Sequence, residues 1–385
     1  MPRTARNVLH GSQRWAALTS ILVAALLLAS PRVSAVVPGE PFAEAFAGRP
    51  ISFPNDTDSS SPAVWDQADG VWTLSLFNSV AGLTQLSEGR GVQRLADVGQ
   101  VAFSTAAPLG GYWFESVLRD TDAWYAFYHN EREGVVCDTP GKVLTRIGAA
   151  RSEDHGRTWT DLGPIIEAPD DAATCETHNL YFVGGVGDFS AVLDADHNYI
   201  YLYYTQYVEQ DGRVGVSAAR LAWADRDAPR GRVDVWSDGV WLPPLAVPSA
   251  VPADDEGLPS SEPEWRFPLA TPFLPSSDRW DDGNDTVDVF WGPSIHWNTH
   301  LECYVMLLNR ANTFTFGQEG VYVSFNPRLD DPAGWSAPVR LLEGGRWYPQ
   351  VLGLTEGEGT DKYAGQEARL FMSGRSEYTL RFGRR

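Results

Sequence analysis

The sequence predicts an all-β fold, a five-bladed β-propeller with four-stranded antiparallel blades, from three observations. Helical periodicity is almost absent beyond residue 35. A short phrase recurs five times: a small residue or Pro, a β-branched residue, a polar turn, then an aromatic-rich run. Aromatic residues reach 12%, with 15 Trp, while charged residues stay at 21%, which excludes both disorder and a coiled coil.

Residues 1–35 form a separate unit. Arg3, Arg6 and Arg14 precede an apolar run over 15–29, and Val33, Ser34 and Ala35 supply small residues for cleavage. That layout predicts a secretory signal peptide. The run is shorter than the roughly 20 residues a membrane span needs. No Cys follows it and no paired arginines precede it, which argues against a lipoprotein and the twin-arginine route. The expected product is a secreted or periplasmic domain over 36–385 with no membrane anchor after cleavage.

Within that domain, residues 61–64 lead into 71–77 and 115–117 into 124–128. Residues 188–192 lead into 199–204, 292–295 into 303–308, and 348–351 into 368–372. Third strands are expected at 147–150, 214–217 and 321–324. A β-sandwich would not predict five similar phrases. In a propeller the loops between second and third strands share one face with the blade-to-blade connectors. That face is expected to carry His129, His178, the loops of Cys137 and Cys175, and a long Pro- and acid-rich insertion at about 247–285.

The 30 Lys+Arg against 50 Asp+Glu give a net charge of −20, which argues against nucleic acid and anionic membranes as partners. Only Lys142 and Lys362 are lysines. Of three cysteines, Cys303 lies in an apolar run and reads as core, leaving Cys137 and Cys175 as the expected disulfide of an oxidising compartment. No CxxC or HExxH spacing occurs, so no zinc site is expected.

Residues 152–159 read S-E-D-H-G-R-T-W, which resembles the Asp box of sialidases and related propellers. Asp154 is expected to bind backbone N–H groups in a turn, with Gly156 at positive φ and Trp159 packed between sheets. The run V-L-D-A-D-H-N-Y-I-Y-L-Y-Y over 192–204, and residues 321–324 with 335–342, resemble strands of the five-bladed propeller glycoside hydrolases, the arabinanase, β-xylosidase and β-fructosidase group. The resemblance implies a glycoside hydrolase with three carboxylates at the channel mouth, to protonate the leaving oxygen, attack or activate water, and tune the acid.

Asp58, Glu115 and Asp188 fill those places. They lie six, two and four residues before Val64, Val117 and Val192, and even offsets put them on one face of regular strands. In that group the acid stands three residues before the hydrophobic position, where this chain has Ser61, Phe114 and Phe189. The group also carries its Glu in the third blade, not the second. Glu115, beside Trp113 and Phe114, is expected to be the general acid, and Asp188, after Gly184, Gly185 and Gly187, the base or nucleophile. Asp58 would hold the field. His129 and His178 are expected to contact sugar hydroxyls, with Trp113, Trp291, Trp347 and Arg346 completing the substrate site.

Two other readings compete. An exo-sialidase would use Arg119, Arg346 and Arg375 with Tyr348 on a carboxylated sugar. A non-catalytic glycan-binding propeller would use the three tryptophans as stacking surfaces. The expected partner is carbohydrate, and a monomer is expected. No cofactor is expected. The calcium ion found in the channel of some relatives of the resembled group has no support in the sequence.

Overall fold

A computed structural model of the chain describes residues 39–104, 106–133, 137, 140–209, 212–247, 264–276, 280 and 287–385. The expected signal peptide and most of the 247–285 insertion lie outside the described residues. The described chain is all-β, as the sequence predicts, with its helical turns confined to short 3-10 segments. Among the described residues no helix is long and apolar enough to cross a membrane.

Strand β1 (Pro41–Ser52) opens the described chain and pairs with its last strand. A first antiparallel meander follows: β2 (Ala63–Ala68), β3 (Val71–Val80), β4 (Leu83–Gly89) and β5 (Leu95–Gln100). The second is β6 (Trp113–Arg119), β7 (Trp124–Glu133), β8 (Val143–Ser152) and β9 (Thr158–Glu167). The third is β10 (Phe182–Leu193), β11 (Tyr199–Val208), β12 (Arg213–Ala222) and β13 (Val233–Ser237). The fourth is β14 (Val289–Asn298), β15 (Cys303–Ala311), β16 (Gln318–Asn326) and β17 (Val339–Glu343). The fifth is β18 (Gln350–Gly353), β19 (Glu367–Met372) and β20 (Arg375–Arg384), completed by β1 pairing with β20. A short parallel pairing of β8 with β10 joins the second and third meanders.

Each meander packs its faces against its neighbours, so the middle strands are apolar on both sides. β11, with sequence YIYLYYTQYV, is buried along nearly its whole length. One apolar cluster joins the first and second meanders through Phe77, Phe114 and Trp159. Others join the second to the third (Phe127, Leu202), the third to the fourth (Tyr203, Met306) and the fourth to the fifth (Val305, Leu370). The last, with Trp65, Leu74 and Phe371, joins the fifth meander back to the first. Gln350 seals that joint, accepting from Ser61 N at 2.5 Å and donating to Ser61 O at 2.7 Å.

The recurring small residue of the sequence phrases has a physical role. Ser116 Oγ on β6 accepts from Ala191 N on β10 at 2.8 Å, and Ser190 Oγ on β10 accepts from Ile295 N on β14 at 3.1 Å. Each hydroxyl thus ties the first strand of one meander to that of the next.

The 152–158 turn between β8 and β9 is built as expected. Asp154 Oδ1 accepts from Ser152 Oγ, Arg157 N and Thr158 N at 2.8, 3.2 and 2.8 Å, and those bonds hold its carboxyl below the usual range although partial burial opposes them. Gly156 has φ 82°, and Trp159 is fully buried, donating from Nε1 to Gly156 O. Cys137 and Cys175 form a disulfide with Cα atoms 5.5 Å apart, while Cys303 is free and buried. The disulfide packs on Leu144 and Val183, at the strand ends that lead into the site described next.

Candidate functional site

A cavity of about 310 Å³ opens where the first strands of the meanders begin. This lies within the range of small-ligand pockets. Glu115, Asp188 and His129 form its floor and are nearly inaccessible, with 2%, 4% and 4% exposure. One donor atom from each of the three lies within 4.8 Å of the others.

Irregular backbone aims the acids. β6 is bulged between Phe114 and Ser116, leaving Glu115 as the unpaired residue, and β10 is bulged between Gly187 and Phe189, leaving Asp188. A bulge re-aims the side chain of its extra residue. The two acids converge because each strand breaks its alternation at that residue, not because even offsets put them on one face of regular strands. Asp188 has φ 41°, in a region costly for a residue with a side chain, as does Tyr348 at φ 56°.

The carboxyls differ in their surroundings. Glu115 Oε2 accepts from Phe189 N at 2.6 Å, and burial, followed by the neighbouring Asp188 charge, drives its pKa well above the usual carboxylate range. Burial also lifts Asp188, but His129 and the phenol groups of Tyr207 and Tyr348 favour its ionised form. Two close acids in unlike environments keep one proton on the less favoured anion, here Glu115.

His129 lines the cavity beside the two acids. Its Nδ1 accepts from Asp188 N at 3.2 Å, and Nε2 faces Glu131 Oε1 at 3.4 Å. Burial opposes a charged ring, yet Glu131, Asp188 and Glu115 outweigh it and push the imidazole up to about 9. A proton on Nδ1 would set two N–H groups against each other, so the charged ring and the Asp188 bond are alternatives. Gly187 allows the contact, since a Cβ there would come within 3.0 Å of Nδ1.

Asp58 lies exposed at the same cavity, accepting from Trp113 Nε1 at 2.8 Å. Trp113 and Trp347 are half-buried on its walls. Trp291 also lines it but is buried, packed edge-on against Phe316, Trp347 and Tyr348, so it serves the wall more than a stacking face. His178 and Arg346 are exposed and do not line the cavity. Arg119 instead bonds Trp65 O, and Arg375 faces Glu377 at 3.9 Å. The arginine cluster of the sialidase reading is therefore absent, and no Lys or Arg lines the cavity among the described residues.

Sequence reasoning missed Ser59, Tyr181, Phe182 and Phe316 in the lining and Tyr207 beneath it. Phe316, at φ 58° in the β15–β16 loop, stacks on Trp280 with ring centroids 5.0 Å apart. The Glu115, His129 and Asp188 donors are close enough for a cation, but each already spends an atom on a protein hydrogen bond.

No protein-family profile matches the sequence, and no curated protein sequence matches it. Among solved structures, the endo-arabinase from Bacteroides thetaiotaomicron is similar at 11% identity and TM-score 0.49, covering 86% of this chain and 96% of that one. A mutant of the alpha-L-arabinanase of Cellvibrio cellulosa is similar at 12% and 0.46, covering 86% and 92%. A thermostable family-43 glycoside hydrolase is similar at 12% and 0.44, also covering 86% and 92%. These come from the group that the sequence phrases resemble. Identities of 11–12% leave the chemistry of this chain to its own side chains.

Proposed function

We propose that the five meanders are the blades of a propeller and that the protein is an exported glycoside hydrolase working at the cavity floor. The observation that carries this reading is the buried Glu115–Asp188 pair, with carboxyl oxygens within 4.8 Å at the base of a small aromatic-walled cavity. Glu115, kept protonated by burial and by Asp188, is the general acid that protonates the leaving oxygen. Asp188, supported by two phenols, is the ionised partner. With Asp188 as the nucleophile, the anomeric configuration is retained.

Asp58 supports a second reading because its exposure gives it access to water. As the base it would produce inversion. The lack of a lining Lys or Arg among the described residues favours a neutral sugar over a carboxylated one. The test is a screen of protein beginning near Val36 against aryl glycosides and polysaccharides, with the product anomer read by NMR. Glu115→Gln and Asp188→Asn should each lower turnover by roughly 10²–10⁴-fold. Wild-type turnover in both variants on a confirmed substrate sinks the assignment. An inverted product moves the role of Asp188 to Asp58. Binding of glycans with no turnover of any would favour the glycan-binding module.

A further inference from the structure

The two serines that tie the innermost strands together share a third partner. Lys362, in the segment between β18 and β19, donates from Nζ to Ser116 Oγ and Ser190 Oγ, both at 2.9 Å, and faces Asp361 Oδ2 at 3.2 Å. Three contacts use the full donor set of an ammonium. Asp361 Oδ1 accepts from Ala63 N on β2 at 2.8 Å, and Lys362 O accepts from Trp297 N on β14 at 2.9 Å. His296, also on β14, is buried and held neutral, lowered to about 3 by burial and by Lys362. Lys362 thus reaches the second, third and fourth meanders and its neighbour Asp361 the first, which places the pair on the axis between the innermost strands.

The serines are adjacent to the catalytic bulges. Ser116 follows Glu115 directly, and Ser190 lies two residues after Asp188. With hydroxyl and carboxylate oxygens already held by Nζ, the axis does not suit a calcium ion, which needs six to eight oxygen ligands and would sit beside an ammonium. We propose that Lys362 is the channel's own cation, a positioning residue that locks the strands bearing Glu115 and Asp188 and supplies their positive field without a metal. This role rests on the hydrolase reading only for its catalytic consequence.

The groups facing Glu115 are Asp188 from β10, His129 from β7, Tyr207 from β11, Tyr348 before β18, and Lys362. Of these, Lys362 and His129 favour the Glu115 anion. Lys362→Met removes the charge with little change in length. In ¹³C-carboxyl titrations, with the Glu115 signal assigned through Glu115→Gln, that signal should move to higher pH in Lys362→Met. Both limbs of the kcat/KM profile should move the same way, with turnover lower on the order of 10²-fold from misplacement. A merely structural lysine would lower Tm and leave these titrations where they were, and an unchanged Glu115 titration overturns the proposal.

The wild-type protein gives a second measurement that survives a failure of the variant to fold. With only two lysines, ¹⁵Nζ labelling yields two signals, and Lys142→Arg identifies the one from Lys362. An ammonium signal at neutral pH, unmoved by EDTA or added calcium, is expected. A neutral amine, or a signal shifted by calcium, overturns the proposal. Neither measurement needs a substrate. If Glu115 shifts as expected but the wild type cleaves no glycoside, the hydrolase reading fails and the role of Lys362 as a buried cation stands.

Discussion

Gly187→Ala tests whether the His129 ring fixes the floor of the cavity. A methyl group at that position would sit within 3.0 Å of His129 Nδ1, so the ring must retreat by roughly 1 Å to restore normal contact. With the ring neutral, the retreat also breaks the 3.2 Å bond from Asp188 N. Losing a buried hydrogen bond costs about 1–3 kcal/mol, and overpacking adds about 1–3 kcal/mol. For a folded unit of this size, with unfolding entropy of about 2.1 cal/mol/K per residue, the combined loss lowers Tm by about 3–8 °C. Because Asp188 is carried on the same bulge, turnover should fall by roughly 10²-fold. Differential scanning fluorimetry and initial rates on one preparation measure both effects. A variant within about 1 °C of wild type and equally active would refute the anchoring role of His129.

Glu115→Gln should stabilise the protein increasingly as pH rises. The wild-type carboxyl has a raised pKa, so between the unfolded and folded values the native state binds more protons and stability falls with pH, a loss the amide does not suffer. Melting curves across pH check this, and a Gln variant that loses stability in parallel with wild type would contradict it. Replacing both Cys137 and Cys175 by Ser opens a loop of 38 residues, which should cost about 4 kcal/mol and lower Tm by about 5 °C, as should reduction of the wild type. Asp154→Ala should cost about 1–3 kcal/mol through its lost turn bonds. It should leave turnover untouched, because the turn lies at the other end of the meander from Glu115. An activity loss without a stability loss would place the turn near the cavity instead.

The strands were readable because each needs the same local chemistry. A small hydroxyl residue joins neighbouring strands, and aromatic runs such as 199–204 fill the space between sheets. β1 carries no such phrase. Its sequence, PFAEAFAGRPIS, gains its strand identity only from the distant β20. The candidate acids were legible as residue types near strand starts, but their aim was not, because bulges at Glu115 and Asp188 depend on pairing across strands. His129 and His178 look alike in sequence, each followed by Asn. The first lies inside β7 and is buried under the cavity, whereas the second lies in an exposed connector. Tyr207 and Lys362 lie far from the acids in sequence, and nothing adjacent to either marks its destination.

The pairing of β1 with β20 also has a mechanical meaning. Its register runs from Pro41 opposite Arg384 to Ser52 opposite Arg375, so the two ends of the described fold leave from the same end of one antiparallel pair. Tension on those ends would unzip β1 one ladder rung at a time, each rung a hydrogen bond of modest net worth, without shearing the whole strand together. The joint that completes the fifth meander would therefore yield at low force. Pulled from the other side, between a point in the β3–β4 turn and one in the β15–β16 loop, the same molecule would load several packed sheets together and resist far longer.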